Sequence, residues 1–332
     1  MRRFMNILLA LAALVACERR PLEEIDYRSH IDVKVNIEAI ANVTCDVYNE
    51  NIPVPKIDPE VMHVLFFDKD GEMAAESFIS EKGLDDNGQM TFSGELAVFP
   101  GNYKMLIYNF GTESTIIRNH YSWDDAEAYT NNVSDKTLSS YKTKLDEDER
   151  VVYEPDHLVV ARSQDEYIPY HTKIHTIETE ATSIVESFYL QIKVEGLEYV
   201  SSAQAFLRGM VSGNKISQDY RITNPANTLY FPLVKSEDDG VPVICNVFST
   251  FGRIENSHNE LLVTFDIKTI DGRIVQKEFD ISDLFLSEEC IKHHWLLLDE
   301  TITIDPPEIS SSGGGFAPEV EDWENENYDV EL

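Results

Sequence analysis

The sequence predicts an all-β protein built as two tandem β-sandwich domains. Three observations carry that expectation. Runs of period-two alternation between apolar and polar residues recur about every 10–15 residues. Asp-Gly and Pro-Gly pairs punctuate them, as at Asp70-Gly71, Pro100-Gly101 and Asp271-Gly272. Sustained helical stripes are scarce, and 332 residues suffice for two cores.

The chain opens MRRFMNILLALAALVAC. Arg2 and Arg3 form a basic n-region, and Phe4 to Ala16 is apolar apart from Asn6. That run is shorter than the ~20 residues that a membrane span needs and fits the core of a secretory signal. Leu14-Val15-Ala16-Cys17 resembles the bacterial lipoprotein box, so Cys17 is expected to be the acylated first residue of the mature protein. Two or more acyl chains give stable anchoring without a transmembrane helix. Glu18 to Arg28 is short and charged and reads as a tether.

Strands then follow one another. HIDVKVNIEAI places Ile31, Val33, Val35 and Ile37 on one face. VMHVLFFDKDGEMAAESF reads as a hairpin about Asp68 to Gly71, and MTFSGELAVFPGNYKMLIYNF as a second pair turning at Pro100-Gly101. Residues 122–130, SWDDAEAYT, are the best short helix, with Ser122 as cap and Asp125 completing a capping box. Residues 131–149 read as loop, and VVYEPDHLVVAR returns to strand. After a polar stretch near 162–180, SIVESFYLQIKVEG, YVSSAQAFLRGM, NTLYFPL and VPVICNVFSTFG read as strands. LLVTFDIKTIDGRIVQKEFDI forms a hairpin at Asp271-Gly272, and HWLLLDETITI closes the series. Tyr103 to Gly111 and Val241 to Gly252 echo each other as apolar strands ending in Phe-Gly. The expected organisation is a lipoprotein signal at 1–16, a tether at 17–29, sandwiches at 30–176 and 177–304, and a Pro/Gly hinge with an acidic tail strand at 305–332.

The tail poses two alternatives. Seven acids and no base in its last seventeen residues favour a disordered segment. Alternation through Phe316, Pro318 and Val320, and through Tyr328, Val330 and Leu332, favours a strand beyond the Gly313-Gly315 hinge. Phe316, Val320, Tyr328, Val330 and Leu332 are the side chains such a strand would donate to a sheet edge.

Composition argues against several functions. A net charge of −33 repels phosphate backbones, which makes nucleic acid a poor partner. The three cysteines left after Cys17 cannot all pair, and Cys245 reads as a core thiol. Asp68-Lys69-Asp70-Gly71-Glu72 could open a calcium loop, but apolar strands flank it and a hairpin turn is favoured. Cys290, His293 and His294 invite a zinc reading, but adjacent residues on a strand point to opposite faces, so His293 and His294 do not easily share one ion, and His171 with His175 lacks an HExxH context. Trp123, Trp295 and Trp323 read as sandwich aromatics before a sugar platform. No nucleophile elbow, phosphate loop or dinucleotide fingerprint occurs. No enzyme, metal or cofactor is expected.

Cys17-Glu18-Arg19-Arg20-Pro21-Leu22, HVLFFDKDGE, FPGNYKMLIYNFGTESTIIRN, WDDAEAYT and EPDHLVVAR, with the Pro-Pro and glycine-rich acidic tail, resemble fimbrillin-like lipoproteins of anaerobic gut and oral Gram-negative bacteria. The resemblance is to the fimbrial anchor or accessory type and spans almost the whole chain. It implies transthyretin-like β-sandwiches, an outer-membrane lipid anchor facing the cell exterior, and a role in pilus assembly or cell adhesion. It also implies assembly by strand addition, after an arginine-specific protease removes the first strand of shaft subunits. Here no Arg lies between Arg28 and Arg118, and Lys56 is the only basic residue from 42 to 60. The first strand is therefore expected to stay, as in an anchor. The alternatives are a surface glycan-binding lipoprotein accessory to a nutrient transporter and a lipid-tethered hydrolase.

Overall fold

The computed structural model describes residues 26–38, 42–138, 149–170, 173–254 and 261–307. In the first half the strands are β1 (Ser29–Glu38), β2 (Val61–Phe67), β3 (Met73–Ile79), β4 (Glu81–Leu84), β5 (Met90–Val98), β6 (Gly101–Phe110), β7 (Thr115–Arg118), β8 (Glu127–Thr130), β9 (Arg150–Tyr153), β10 (Val159–Ile168) and β11 (His175–Ser183). In the second half they are β12 (Glu186–Glu195), β13 (Val200–Met210), β14 (Gly213–Lys215), β15 (Tyr220–Ile222), β16 (Asn227–Asp238), β17 (Val241–Thr250), β18 (Leu262–Thr269), β19 (Ile274–Asp280) and β20 (Trp295–Thr303). Helix is confined to a single turn α1 (Asp135–Leu138), a short α2 (Glu288–His293) and three 3-10 turns among the described residues. The all-β expectation is met.

Both halves trace the same circuit of strands. The first strand of each, β1 or β12, lies between an antiparallel neighbour, β5 or β17, and a parallel one, β11 or β20. The second strand, β2 or β13, pairs with β6 or β18 on one side. On its other side it pairs with β3 or with the first part of β16. The later part of β16 pairs with β17, and β4 does the same with β5, so β3 and β4 together stand where the single β16 stands. The two halves differ at one closure. In the first, β10 joins β6 to β11 through Val159 and Val160, and the circuit is complete. In the second, β19 ends the sheet at one side and β20 at the other. The 3-10 turn Leu284–Leu286 and α2 come between them and bury Phe285 and Cys290 in the core.

Two cores follow from this repeat. Ile31, Val33, Val35, Met62, Val64, Phe66, Phe92, Met105 and Ile107 share one of them. Leu190, Ile192, Ala205, Phe231, Phe248, Phe265 and Leu296 share the other. A third cluster joins the halves: Leu65, Phe67, Leu106 and Trp123 pack with Val211, Ile216 and Phe251. Its frame is a small sheet in which β8 pairs with β14, with Ala128 opposite Asn214 and Tyr129 opposite Gly213. β9 also pairs in parallel with β16. This joint explains why β2 reads VMHVLFF without alternation, since both its faces are covered. Glu154 sits at the same joint, accepting the Ser249 N–H at 3.0 Å, and burial pushes its carboxyl up to about 7.

Five expectations need correction. Residues 122–130 are not a helix: Ser122 to Ala126 make one turn, and β8 follows because its backbone pairs with β14. β5 and β6 are joined at Pro100-Gly101 but do not pair; β5 lies beside β1, and β6 lies between β2 and β10. The stretch 162–180 is strand over much of its length, in β10 and β11. The boundary expected at 176/177 falls inside β11, a strand of the first sheet, and the chain passes to the second sheet between Ser183 and Glu186. The echo between 103–111 and 241–252 joins non-equivalent strands, because β6 corresponds to β18 and not to β17.

Candidate functional site

The first strand and its seat are the part of the fold on which assembly by strand exchange would act. β1 alternates strictly: Ile31, Val33, Val35 and Ile37 are at most 1% exposed, while Asp32, Lys34, Asn36 and Glu38 lie on the other face. Eight residue pairs join it to β5 and eight to β11. Lys34 reaches Glu178 of β11 at 3.6 Å, and Ser29 Oγ donates to the Pro169 carbonyl at 2.7 Å. Without β1 the sheet would have two raw edges and a slot for four branched side chains. Burying each contributes about 1.5–3 kcal/mol.

Just before β1, Arg28 is exposed and forms a bidentate pair with Asp26, with Nε–Oδ1 and Nη2–Oδ2 distances of 2.9 and 2.8 Å. The next arginine, Arg118, lies in β7, where it pairs with Glu127 and stacks over Tyr129 at 4.8 Å. Lys56 is exposed on the segment between β1 and β2.

A second feature lies where the described chain ends. Ile304 N–H donates to the Glu195 carbonyl, and Arg273 donates to the carbonyls of Asp305 and Pro306 at 2.8 and 3.2 Å. Arg273 follows the Asp271-Gly272 turn, so residue 307 emerges beside the start of β19. β19 pairs only with β18 among the described residues, and Lys277 is exposed along it.

Cys17 lies outside the described residues, as do Phe316, Val320, Tyr328, Val330 and Leu332 of the tail. The Asp68 to Glu72 segment is a hairpin turn: Asp68 Oδ1 accepts the N–H groups of Asp70 and Glu72, and Gly71 has φ +85°. Cys290, His293 and His294 are not brought together. The Cys290 thiol is in the core, the His293 ring lies 4.8 Å from that of Trp295, and His294 caps α2 with its Nδ1 3.0 Å from the Ser187 carbonyl. His171 lies outside the described residues, and His175 opens β11. Trp123 is buried, with the Lys104 ammonium over its ring at 5.5 Å, and Trp295 is partly buried. Cys245 is fully buried and its thiol is pushed up by desolvation, as a core residue's would be. Sequence reasoning missed the Arg273 bracket around the departing chain. It also missed the meaning of His63, a histidine set in an otherwise apolar strand.

Residues 23–232 match the family described as Domain of unknown function (DUF5119). The chain is 24% identical over 359 aligned positions to a Bacteroides ovatus protein named "Putative fimbrium anchoring subunit Fim4B", covering 99% of this chain and 97% of that protein. Its fold is similar to the crystal structure of "a putative adhesin" from Bacteroides ovatus, with a TM-score of 0.58 and 21% identity over 88% of this chain and 98% of that one. The fimbrial anchor protein Mfa2 from Porphyromonas gingivalis aligns over 82% of this chain and 90% of its own, with a TM-score of 0.48 and 14% identity.

Proposed function

The chain belongs to the family described as Domain of unknown function (DUF5119), and we propose that within it this chain is a non-enzymatic pilus anchor or accessory subunit. It is held at the outer membrane by lipid on Cys17, faces the cell exterior, and keeps its first strand. The observation that carries this reading is β1 itself, paired along both edges with Arg28 before it and no arginine again until Arg118. Cleavage after Arg28 would free the tether and leave the seat of β1 filled. Cleavage after Arg118 would fall inside the first domain. The relative named as a fimbrium anchoring subunit, similar over nearly its whole length, supports the same role. No described helix is long and apolar enough to cross a membrane, and the short apolar N-terminus followed by Cys17 supports a lipid anchor in its place. The two domains of this reading span about 29–183 and 186–304.

Protein recovered from cells is expected to begin at an acylated Cys17 and to contain Ile31 to Ile37, as read by N-terminal mass spectrometry. Cys17→Ser should accumulate as precursor and take up no labelled fatty acid. A mature N-terminus between residues 42 and 60, or unchanged labelling of Cys17→Ser, would overturn the reading.

Association with other pilus subunits is proposed to run through the tail, whose alternating residues from Phe316 to Leu332 add to a sheet edge. The exit of the chain beside the side of β19 that no described strand pairs, near Arg273 and Lys277, supports an acidic strand in that region or on a partner's equivalent edge. A chain ending at Ser311 should melt at the same temperature as the full protein and lose that association. Retained association, or a second domain that melts early, would refute it.

A further inference from the structure

On the outer face of the first sheet, three neighbouring strands place His63, Phe78 and Tyr108 side by side, with Glu76 and Phe110 next along. The segment carrying β7 crosses above them and encloses a cavity of about 500 Å³ with Thr115, Ile117 and His120 on its far wall. Such a volume suits a small molecule.

The floor of this cavity is built. His63 is 3% exposed, with its Nδ1 2.8 Å from the Tyr108 hydroxyl and its Nε2 3.0 Å from Glu76 Oε2. A carboxylate can only accept, so Nε2–H donates to Glu76 and Tyr108 O–H donates to Nδ1. Desolvation lowers the His63 pKa against the opposing pull of Glu76, which favours the neutral ring. The other Glu76 oxygen has no protein partner among the described residues, and its side chain is 46% exposed. Around this fixed carboxylate stand phenyl rings that a sheet would ordinarily cover. Phe78 stacks on His63 at 4.2 Å, and Phe110 meets Phe78 edge-on at 5.1 Å. Both remain about half exposed, at 50% and 53%.

The charge is one-sided. Among the described residues, Glu76 is the only formally charged side chain lining the cavity. The adjoining cavity, which shares Asn109 to Thr112, is lined by Asp58, Glu60, Glu113 and Asp156 against a single lysine, Lys56. Half-exposed rings beside a carboxylate, with no lysine or arginine among the described lining residues and the imidazoles of His63 and His120 as the sole bases there, form an environment that attracts an organic cation. A phenyl ring attracts a cation through its negative face, and the carboxylate supplies the counter-charge.

We propose that this cavity, framed by Glu76, Phe78, Phe110 and His120 over the His63–Tyr108 pair, binds a small organic ammonium ion. A phosphate on the ligand is disfavoured, because it would face the carboxylates of the adjoining cavity. The proposal is independent of the pilus reading.

The test titrates the purified protein, followed by NMR, with choline, with its neutral carbon isostere 3,3-dimethylbutan-1-ol, and with phosphocholine. Choline is expected to bind at least about tenfold more tightly than either of the others. Glu76→Gln keeps an acceptor for His63 and should keep the melting temperature while weakening choline about tenfold. Phe110→Leu keeps apolar bulk, removes the ring, and should weaken choline several-fold. Equal binding of choline and its isostere would mean an apolar pocket only and would overturn the proposal. So would phosphocholine binding as tightly as choline, an unchanged affinity in well-folded Glu76→Gln, or no choline binding at all.

Discussion

Val33→Asp is expected to unfold the first domain. Val33 is fully buried at the middle of β1, opposite Gly94 of β5 and Ile177 of β11. The change removes about 1.5–3 kcal/mol of apolar burial. It also puts a carboxyl into the apolar cluster that holds Val35, Val64 and Ile107. An uncompensated buried charge costs a further 3–5 kcal/mol or so, whether borne directly or as forced protonation. The sum is comparable to the ~5–15 kcal/mol that stabilises a typical domain. Thermal unfolding followed by circular dichroism should therefore lose the transition of the first domain. Lys34→Thr, on the opposite face of the same strand, should shift it by only about 0.5 kcal/mol. If Val33→Asp melts like the unsubstituted protein, β1 is not the strand that holds the first core together, and the seat described above has no structural weight.

Gly196→Ala is expected to cost about 3 kcal/mol or more and to loosen the end of β20. Gly196 follows β12 with φ +81°, and an added Cβ would stand 2.2 Å from the Ile304 carbonyl oxygen. The backbone conformation alone costs an L residue about 1–2 kcal/mol. The collision adds to this because the neighbour is main chain, held by the Ile304 N–H to Glu195 carbonyl bond. Gly240→Ala separates the two contributions: it has φ +80° and meets only the tip of Glu237 at 3.7 Å. Its cost should stay near the conformational part. Chemical denaturation of the two variants measures the difference, and amide exchange at Ile304 should rise in Gly196→Ala alone. Equal stabilities for the two would mean that Ile304 yields freely and that β20 is not fixed at this point.

The elements most legible in the sequence are those with one wet face. In β1 the alternation of buried and outward residues follows the letters directly. The Asp68 to Gly71 and Asp271-Gly272 turns were equally plain, because each requires a positive φ that glycine adopts freely and each joins strands that do pair. The boundary failed for a local reason: β11 is polar on its outer face, with Glu178 and Glu180 there, and resembles a linker until β1 is set beside it. The predicted helix at 122–130 failed for a distant one. The Ser122 hydroxyl donates to the Asp125 carboxylate at 3.1 Å, but the next residues are recruited by β14, some ninety positions later in the chain. The His63 cavity was out of reach because its residues come from four separate segments, and only the sheet register and the crossing of β7 bring them together.

By itself, the sequence determined the all-β class, the position and period of most strands and the absence of arginine between Arg28 and Arg118. These are local properties: a period of two, a turn residue or a protease site is written in a few adjacent letters. The tertiary structure alone decided that both halves trace one circuit of strands, closed in the first by β10 and β11 and, among the described residues, left open in the second between β19 and β20. It also decided that β5 and β6 turn away from each other and that β8 joins the two halves. A strand's own residues state how it alternates. Which strand lies beside it depends on which apolar faces can be buried together, and those faces come from parts of the chain far apart in sequence.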